Sequence, residues 1–201
     1  MRYLRFVAAP LPFPTRSGAG PTDAALVVAM RGGEEWASEV LFRRHAPALN
    51  GLAFRLMGRD ADTDDLVQEA FARAFVSLPR LKEPQAFAGW LRAILVRTAY
   101  VMIRRRRVFA RIGFGRQALD VDVDAIVGKS ASPEEALELR QIYEIVAQLP
   151  ADLRVALVLR RIDDLSLEEI AELTGASLAT VKRRIARAEQ LLREKSDGGE
   201  R

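Results

Sequence analysis

The chain has 201 residues, with 31 Lys+Arg against 27 Asp+Glu and a formal net charge of +4, a length that allows one large domain or two small ones. A hydrophobic share of 49% excludes wholesale disorder, and the lack of any cysteine excludes a disulfide scaffold, a thiolate zinc site and a Cys nucleophile. One histidine, His45, is too few for a His-based metal site or a Ser/His triad, so no cofactor is implied and an enzyme is the weakest reading. Only Lys82, Lys129, Lys182 and Lys195 are lysines; every other basic residue is arginine. That bias fits bidentate contacts to phosphate and guanine, or simply the base composition of the genome.

Residues 1–21, MRYLRFVAAPLPFPTRSGAGP, have their apolar run broken by Pro10, Pro12 and Pro14. They lack the continuous apolar helix of a signal peptide or membrane span, so a flexible tail and a cytoplasmic protein without membrane insertion are expected. From 22 to 107 the pattern is helical nearly throughout. His45, in LFRRHAPALN on a helix, reads as structural. In DADTDDLVQEAFARAFVSL, residues Leu66, Val67, Ala70, Phe71, Ala74, Phe75 and Leu78 recur at helical spacing, opposite Asp65, Gln68, Glu69 and Ala72. No third ligand group accompanies these carboxylates, and Asp62, Asp64 and Asp65 suit the positive end of a helix dipole. Taken alone, the segment reads as structural.

The following helix, FAGWLRAILVRTAYVMIRRRR, has a core stripe of Phe87, Leu91, Ile94, Thr98 and Met102. Trp90, Ala93, Arg97, Tyr100 and Arg104 lie along one flank, within roughly 80° of one another. Aromatics interleaved with arginines suit single-stranded nucleic acid, whose bases stack and whose phosphates need cations; a core Trp beside a solvated Arg row is the alternative. Residues 108–131 lack sustained periodicity and read as a linker. A second helical unit, 132–195, opens on Ser132-Pro133-Glu134-Glu135, with serine as N-cap, proline at the first position and glutamate three residues on; a tail, 196–201, follows. No strand pattern or internal repeat appears. The expectation is an all-α protein of two small helical domains joined by a flexible linker. Charge alternates along this layout, basic over Arg104–Arg107, acidic over 120–144 and basic again at 182–187, so the small net charge is a cancellation of blocks.

Ser166-Leu167-Glu168-Glu169 is a second capping box, opening a helix over Leu167–Leu173. Thr174-Gly175-Ala176 supplies the turn and Ser177 caps a further helix, which is the helix-turn-helix pattern. In that last helix Leu178, Val181, Ile185, Ala188 and Leu192 form the core stripe, with Ala179, Arg183, Ala186, Arg187 and Gln190 opposite and Lys182 and Arg184 on the flanks. Long donors at the crest reach base edges and flanking cations meet phosphates. A solvated Arg-rich face explains the charges but not the capped turn before them.

The runs DTDDLVQEAFARAF, FAGWLRAILVRTAYVMIRRRR and LPADLRVALVLRRIDDLSLEEIAELTGASLATVKRRIARAEQLLRE stand in the order and spacing of a bacterial RNA polymerase sigma factor, and the chain resembles the extracytoplasmic-function (ECF) group of the sigma-70 family from Thr22 to Lys195. That group has two helical domains, regions 2 and 4. The resemblance implies that Asp65, Gln68 and Glu69 grip the β′ clamp helices of core polymerase and that region 4 meets the β flap. Trp90, Arg97, Tyr100 and Arg104 would engage the −10 element and its melted strand, with the loop Arg80–Gln85 capturing a flipped base. Thr180, Lys182, Arg183, Arg184 and Arg187 would read the −35 element, and an anti-sigma factor is a further implied partner. Arg97 stands where many relatives carry a smaller polar side chain, Ala186 where a larger residue is common and Arg183 where serine is frequent, so the family's promoter sequences do not transfer. A repressor or activator binding DNA alone, and a protein that sequesters polymerase or a regulator, are the rival readings.

Overall fold

Within residues 20–58, 60–111 and 133–198, which this computed structural model describes, every regular element is helical. Helix α1 (Asp23–Arg31) starts at Thr22, whose Oγ1 accepts from the Ala25 N–H at 3.2 Å. Helix α2 (Glu35–Met57) ends at Gly58, where φ is 76° and the cap N–H donates to the Phe54 carbonyl at 2.7 Å, a left-handed cap that glycine adopts without a Cβ clash. Helix α3 (Asp60–Ser77) runs into the 3-10 turns Leu78–Arg80 and Pro84–Ala86, and then α4 (Phe87–Arg111). The second half holds α5 (Pro133–Gln148), α6 (Ala151–Arg161), α7 (Leu167–Thr174) and α8 (Leu178–Gly198). Helix α4 thus continues four residues past Arg107 into the stretch read as linker, while Ser132 and residues 112–131 lie outside the described residues, as do residues 1–19 of the expected N-terminal tail.

Helices α1 to α4 form one bundle, with α2 packed on α1, α3 and α4, and α3 also on α4. The α3 stripe behaves as its spacing demands: Leu66, Val67, Ala70, Phe71, Ala74 and Leu78 are buried and Phe75 is half-buried, while Asp65, Gln68, Glu69 and Ala72 face solvent. His45 is fully buried, its ring tilted against that of Phe87 with centroids 5.5 Å apart, and its Nε2 lies 2.9 Å from Asp23 Oδ2. Arg44 Nη1 donates to the other Asp23 oxygen at 2.5 Å, so the first turn of α1 is clamped to mid-α2. Burial would raise the Asp23 carboxyl, but the His45 and Arg44 hydrogen bonds outweigh it and hold it below the ordinary carboxylate range. A depressed carboxylate stabilises the fold above its unfolded value of ~3.9 and loses that contribution as pH falls through the folded value. Acid titration of thermal stability should therefore show a steeper fall for the native chain than for Asp23→Asn below about pH 4; parallel curves would remove this clamp from the account.

Pro84–Arg106 is long and apolar enough, by length and composition, to cross a membrane. Here that apolarity serves packing, since Phe87, Leu91, Leu95, Val96, Thr98, Ala99 and Ile103 are all buried in protein. Ile94 and Met102, expected in the core stripe, are half-buried, and the buried arc of α4 is wider than one stripe. Its width has a cause in tertiary structure: α4 packs against α6 and α7 of the second half as well as against α2 and α3. Helix α6 is buried from Ala151 through Leu159 with only Asp152 partly exposed. A helix buried all round needs neighbours all round, and α6 has α7 and α8 together with α4 and α2. The buried side chains of the two halves consequently form one continuous cluster.

The helix-turn-helix follows from local chemistry. Ser166 Oγ accepts from the Glu169 N–H at 3.2 Å while Glu169 accepts from the Ser166 N–H at 2.8 Å, a reciprocal capping box. The Ser166 backbone and hydroxyl donors hold the Glu169 carboxyl below its ordinary range. Gly175 turns the chain at φ 68°, and Ser177 Oγ accepts from the Thr180 N–H at 3.3 Å to start α8. Replacing Ser166 with alanine should lower unfolding stability by about 1 kcal/mol, read from the shift of the denaturant midpoint at constant slope; an unmoved midpoint would mean the cap contributes nothing.

Candidate nucleic-acid interface

On α8 the core stripe and the crest separate as the angular pattern requires. Val181, Ile185 and Ala188 are buried and Leu178 and Leu192 half-buried, whereas Ala179, Lys182, Arg183, Ala186, Arg187 and Gln190 are exposed. The crest is partly organised in advance: Arg183 Nη2 reaches Thr180 Oγ1 at 3.4 Å and Arg187 Nη1 donates to Gln190 Oε1 at 2.9 Å. Thr180 Oγ1 in turn lies 2.9 Å from Ser177 Oγ. Arg184 differs from its neighbours, being half-buried with Nε 3.3 Å from Asp152 Oδ2 on α6. The result is a protruding row of cations on a helix whose other side is anchored, the shape that fits a major groove.

The predicted flank of α4 is present as a strip. Arg97 and Arg104 are exposed, while Trp90, Ala93 and Tyr100 are half-buried, with the Trp90 ring centroid 6.2 Å from that of Phe87. Tyr100, Val101, Arg104, Arg105 and Val108 line an open groove of about 500 Å³. Apolar floor with guanidinium rim is the chemistry of a base-stacking surface. The loop leading into α4 is held by Arg31 of α1, which donates to the Leu78 carbonyl at 3.0 Å and also to that of Leu81. Arg106, by contrast, turns to Asp62 of α3.

Asp65, Gln68 and Glu69 are exposed together on α3. With Arg73, Thr98, Val101, Met102 and Arg105 they line a groove of about 550 Å³ between α3 and α4. Glu69 makes an exposed i,i+4 pair with Arg73 at 2.6 Å, worth little in water. An open trough that mixes apolar and charged side chains has the chemistry that suits a protein partner. Among the described residues no cluster of three His, Cys, Asp or Glu side chains is placed to hold a metal ion.

Sequence reasoning missed a set of buried charges where the two halves meet. Asp163, in the turn after α6, has a fully buried side chain that accepts from Arg55 of α2 at Nε, 3.0 Å away, and at Nη2. Burial pushes the Asp163 carboxyl up despite the pull of Arg55 and Arg92. Arg154 of α6 is 3% exposed and burial lowers its guanidinium to about 10; near it the Tyr143 hydroxyl, also buried, is pushed above its ordinary range. The only signal in the sequence is that Arg154 interrupts the apolar run of α6.

Residues 41–108 match the family Sigma-70 region 2, and residues 139–192 match Sigma-70, region 4. The ECF RNA polymerase sigma-E factor of Haemophilus influenzae is 33% identical over 180 residues, covering 87% of this chain and 95% of that protein. The sigma-E factor of Escherichia coli is 34% identical over 188 residues, covering 87% and 94%. The ECF sigma factor SigE of Mycolicibacterium smegmatis is 37% identical over 158 residues, covering 77% of this chain and 59% of that longer protein. Among solved structures, CnrH in complex with the cytosolic domain of CnrY superposes with a TM-score of 0.57 at 27% identity, covering 88% of this chain and 97% of that one. RpoE in complex with the anti-sigma factor NepR from Bartonella quintana gives 0.54 at 25% identity, covering 80% and 96%. A region 2 bundle, a region 4 helix-turn-helix and two sigma-E relatives matched over 94–95% of their length together place this chain in the ECF group of the sigma-70 family: it is a sigma factor, which works with RNA polymerase in promoter recognition and transcription initiation.

Proposed function

We propose that this sigma factor divides initiation among three surfaces. The α3 face, through Asp65, Gln68 and Glu69, docks on the β′ clamp helices, and the C-terminal domain meets the β flap. The α8 crest, through Thr180, Lys182, Arg183, Arg184 and Arg187, reads the −35 major groove. The α4 strip, through Trp90, Arg97, Tyr100 and Arg104, holds the −10 strand once bases leave the stack, with loop Arg80–Gln85 receiving one of them. The functional domains are 22–107 and 132–195, joined by 108–131. The protein acts in the cytoplasm, carries no catalytic activity of its own, and is held in check by an anti-sigma factor of the kind seen on the structural neighbours. The observation that carries this reading is that acidic, aromatic–arginine and basic faces occupy three different helices and all reach solvent.

Run-off transcription with core polymerase is the direct test: promoter-specific initiation is expected on some genomic template, and its absence from every template would overturn the reading. Within it, Arg97→Ala should cut open-complex formation on duplex promoter roughly tenfold, in line with the ~0.5–2 kcal/mol of a guanidinium held on a base face. Permanganate reactivity of the −10 thymines reads that loss, and a template already mismatched at −10 should recover most of it. An equal deficit on both templates would move Arg97 out of strand capture.

A further inference from the structure

Arg31 ends α1 where that helix meets the segment between α3 and α4. Leu26 and Val27 bury α1 in the bundle, and the bonds from Asp23 to Arg44 and His45 fix its first turn on α2. Its last turn is closed by Gly32 and Gly33, whose N–H groups donate to the Val28 and Met30 carbonyls at 3.1 Å each. From this fixed end Arg31 Nη2 donates to the Leu78 carbonyl at 3.0 Å and also to that of Leu81, 47 and 50 positions along the chain. Helix α1 packs on both 3-10 turns as well. Each turn has a backbone bond of its own, Leu81 N–H to the Leu78 carbonyl at 3.1 Å and Ala86 N–H to the Glu83 carbonyl at 2.9 Å. Pro79 and Pro84 have no N–H to add, and a single 3-10 turn has little stiffness.

We infer that Arg31 is a positioning residue for base capture: by holding the Leu78 and Leu81 carbonyls it presets the course of the loop Arg80–Gln85, and with it the discrimination among bases at the captured position. This role rests on reading that loop as the receiver of a flipped base. Leu78, Leu81 and Phe87 are buried and already tie the segment to the core, whereas Arg80, Lys82, Glu83 and Gln85 are exposed. Arg31 is exposed too, so its bonds add little burial to the fold; what they add is the placement of an exposed loop. Extruding a base costs unstacking energy, and the contacts of the receiving pocket tell one base from another. Hydrogen bonds weaken steeply with misalignment. A loop free to shift by about 1 Å therefore still admits a base but loses the contacts that identify it. A loop ordered beforehand also loses less entropy on binding. Arg31 acts through the loop backbone, from the far side of the segment's buried leucines.

The test measures holoenzyme binding to a labelled non-template −10 single strand, taken from a promoter that the native protein opens, with each base replaced in turn by an abasic site. The loop variant Lys82→Ala with Gln85→Ala should erase the abasic penalty at one position, which identifies the base that the loop holds. Arg31→Ala should shrink the penalty at that same position from roughly tenfold, the scale of one held base, to less than about twofold. Penalties at the other positions should stay as in the native protein. Arg31→Met, which keeps a long apolar stem without a donor, should behave like Arg31→Ala. Circular dichroism melting checks folding, and Arg31→Met carries the test where alanine unfolds the chain. A purely structural role would weaken binding to intact and abasic strands alike, so a uniform loss overturns the proposal, as does loss of folding in both variants. A position assigned to the loop whose penalty is native in both Arg31 variants removes the positioning role alone. If the loop variant changes the penalty at no position, the base-capture reading falls and the positioning role falls with it.

Discussion

Arg183→Ala combined with Arg187→Ala is expected to reduce holoenzyme affinity for a −35-bearing duplex by at least roughly 30-fold. Each arginine at a base edge is worth ~1–3 kcal/mol, so the pair removes ~2 kcal/mol at the low end. Both side chains are exposed on the crest and, among the described residues, bond to neighbours on α8. Alanine is the best helix former, so the fold should survive and the loss should be one of recognition. Lys182→Ala, at a flank, should weaken all duplexes about equally and lower the salt slope by about 1. Arg184→Ala should behave differently again, because its half-buried side chain faces Asp152; it should cost folding stability along with affinity. Fluorescence anisotropy over a salt series separates the three. Unaltered affinity and slope in the double variant would strip α8 of its reading role and favour the sequestering alternative.

The second large effect is expected on the opposite charge. Asp65→Lys with Glu69→Lys should weaken binding to core polymerase by about 100-fold or more, since like charges facing each other across an interface cost several kcal/mol. The structural price inside this chain is small: both side chains are exposed, and the Glu69–Arg73 pair is worth ~0.3–0.5 kcal/mol. Competition for core polymerase against a labelled native chain gives the measurement, with unchanged melting as the control for folding. The variant should also lose initiation at every promoter alike, unlike the α8 variants, which are promoter-dependent. Full retention of core affinity would take the acidic face out of polymerase docking and leave the DNA-binding regulator as the better reading.

How much of this was legible in the sequence depended on how local its cause is. The α3 face could be read from spacing alone because a helix fixes its own side-chain directions. The α7–turn–α8 unit was equally legible, since Ser166, Glu169, Gly175 and Ser177 each act on backbone groups within a few residues. His45 was placed as structural, but its partner Asp23, 22 residues earlier, was not visible. The α4 strip was found as a face, while the second buried arc of the same helix was not. Periodicity shows that a side chain is apolar; it does not show how many neighbours the helix has.

Charge makes the same division. From sequence, the +4 total resolved into an acidic α3 face and basic strips on α4 and α8, because each block lies on a single helix. Which charges stay in water was settled only in three dimensions. Arg183 and Arg187 stay exposed on α8, whereas Arg184 goes to Asp152, Arg106 to Asp62, and Arg55 to an aspartate 108 positions away. The sequence by itself determined the helices, their caps and the faces they could offer, since those follow from local geometry and hydrogen bonding. Tertiary structure decided which of those faces meet, burying Arg154 and Asp163 and bringing α4 against α6 and α7, because long-range packing pairs surfaces that no local pattern connects.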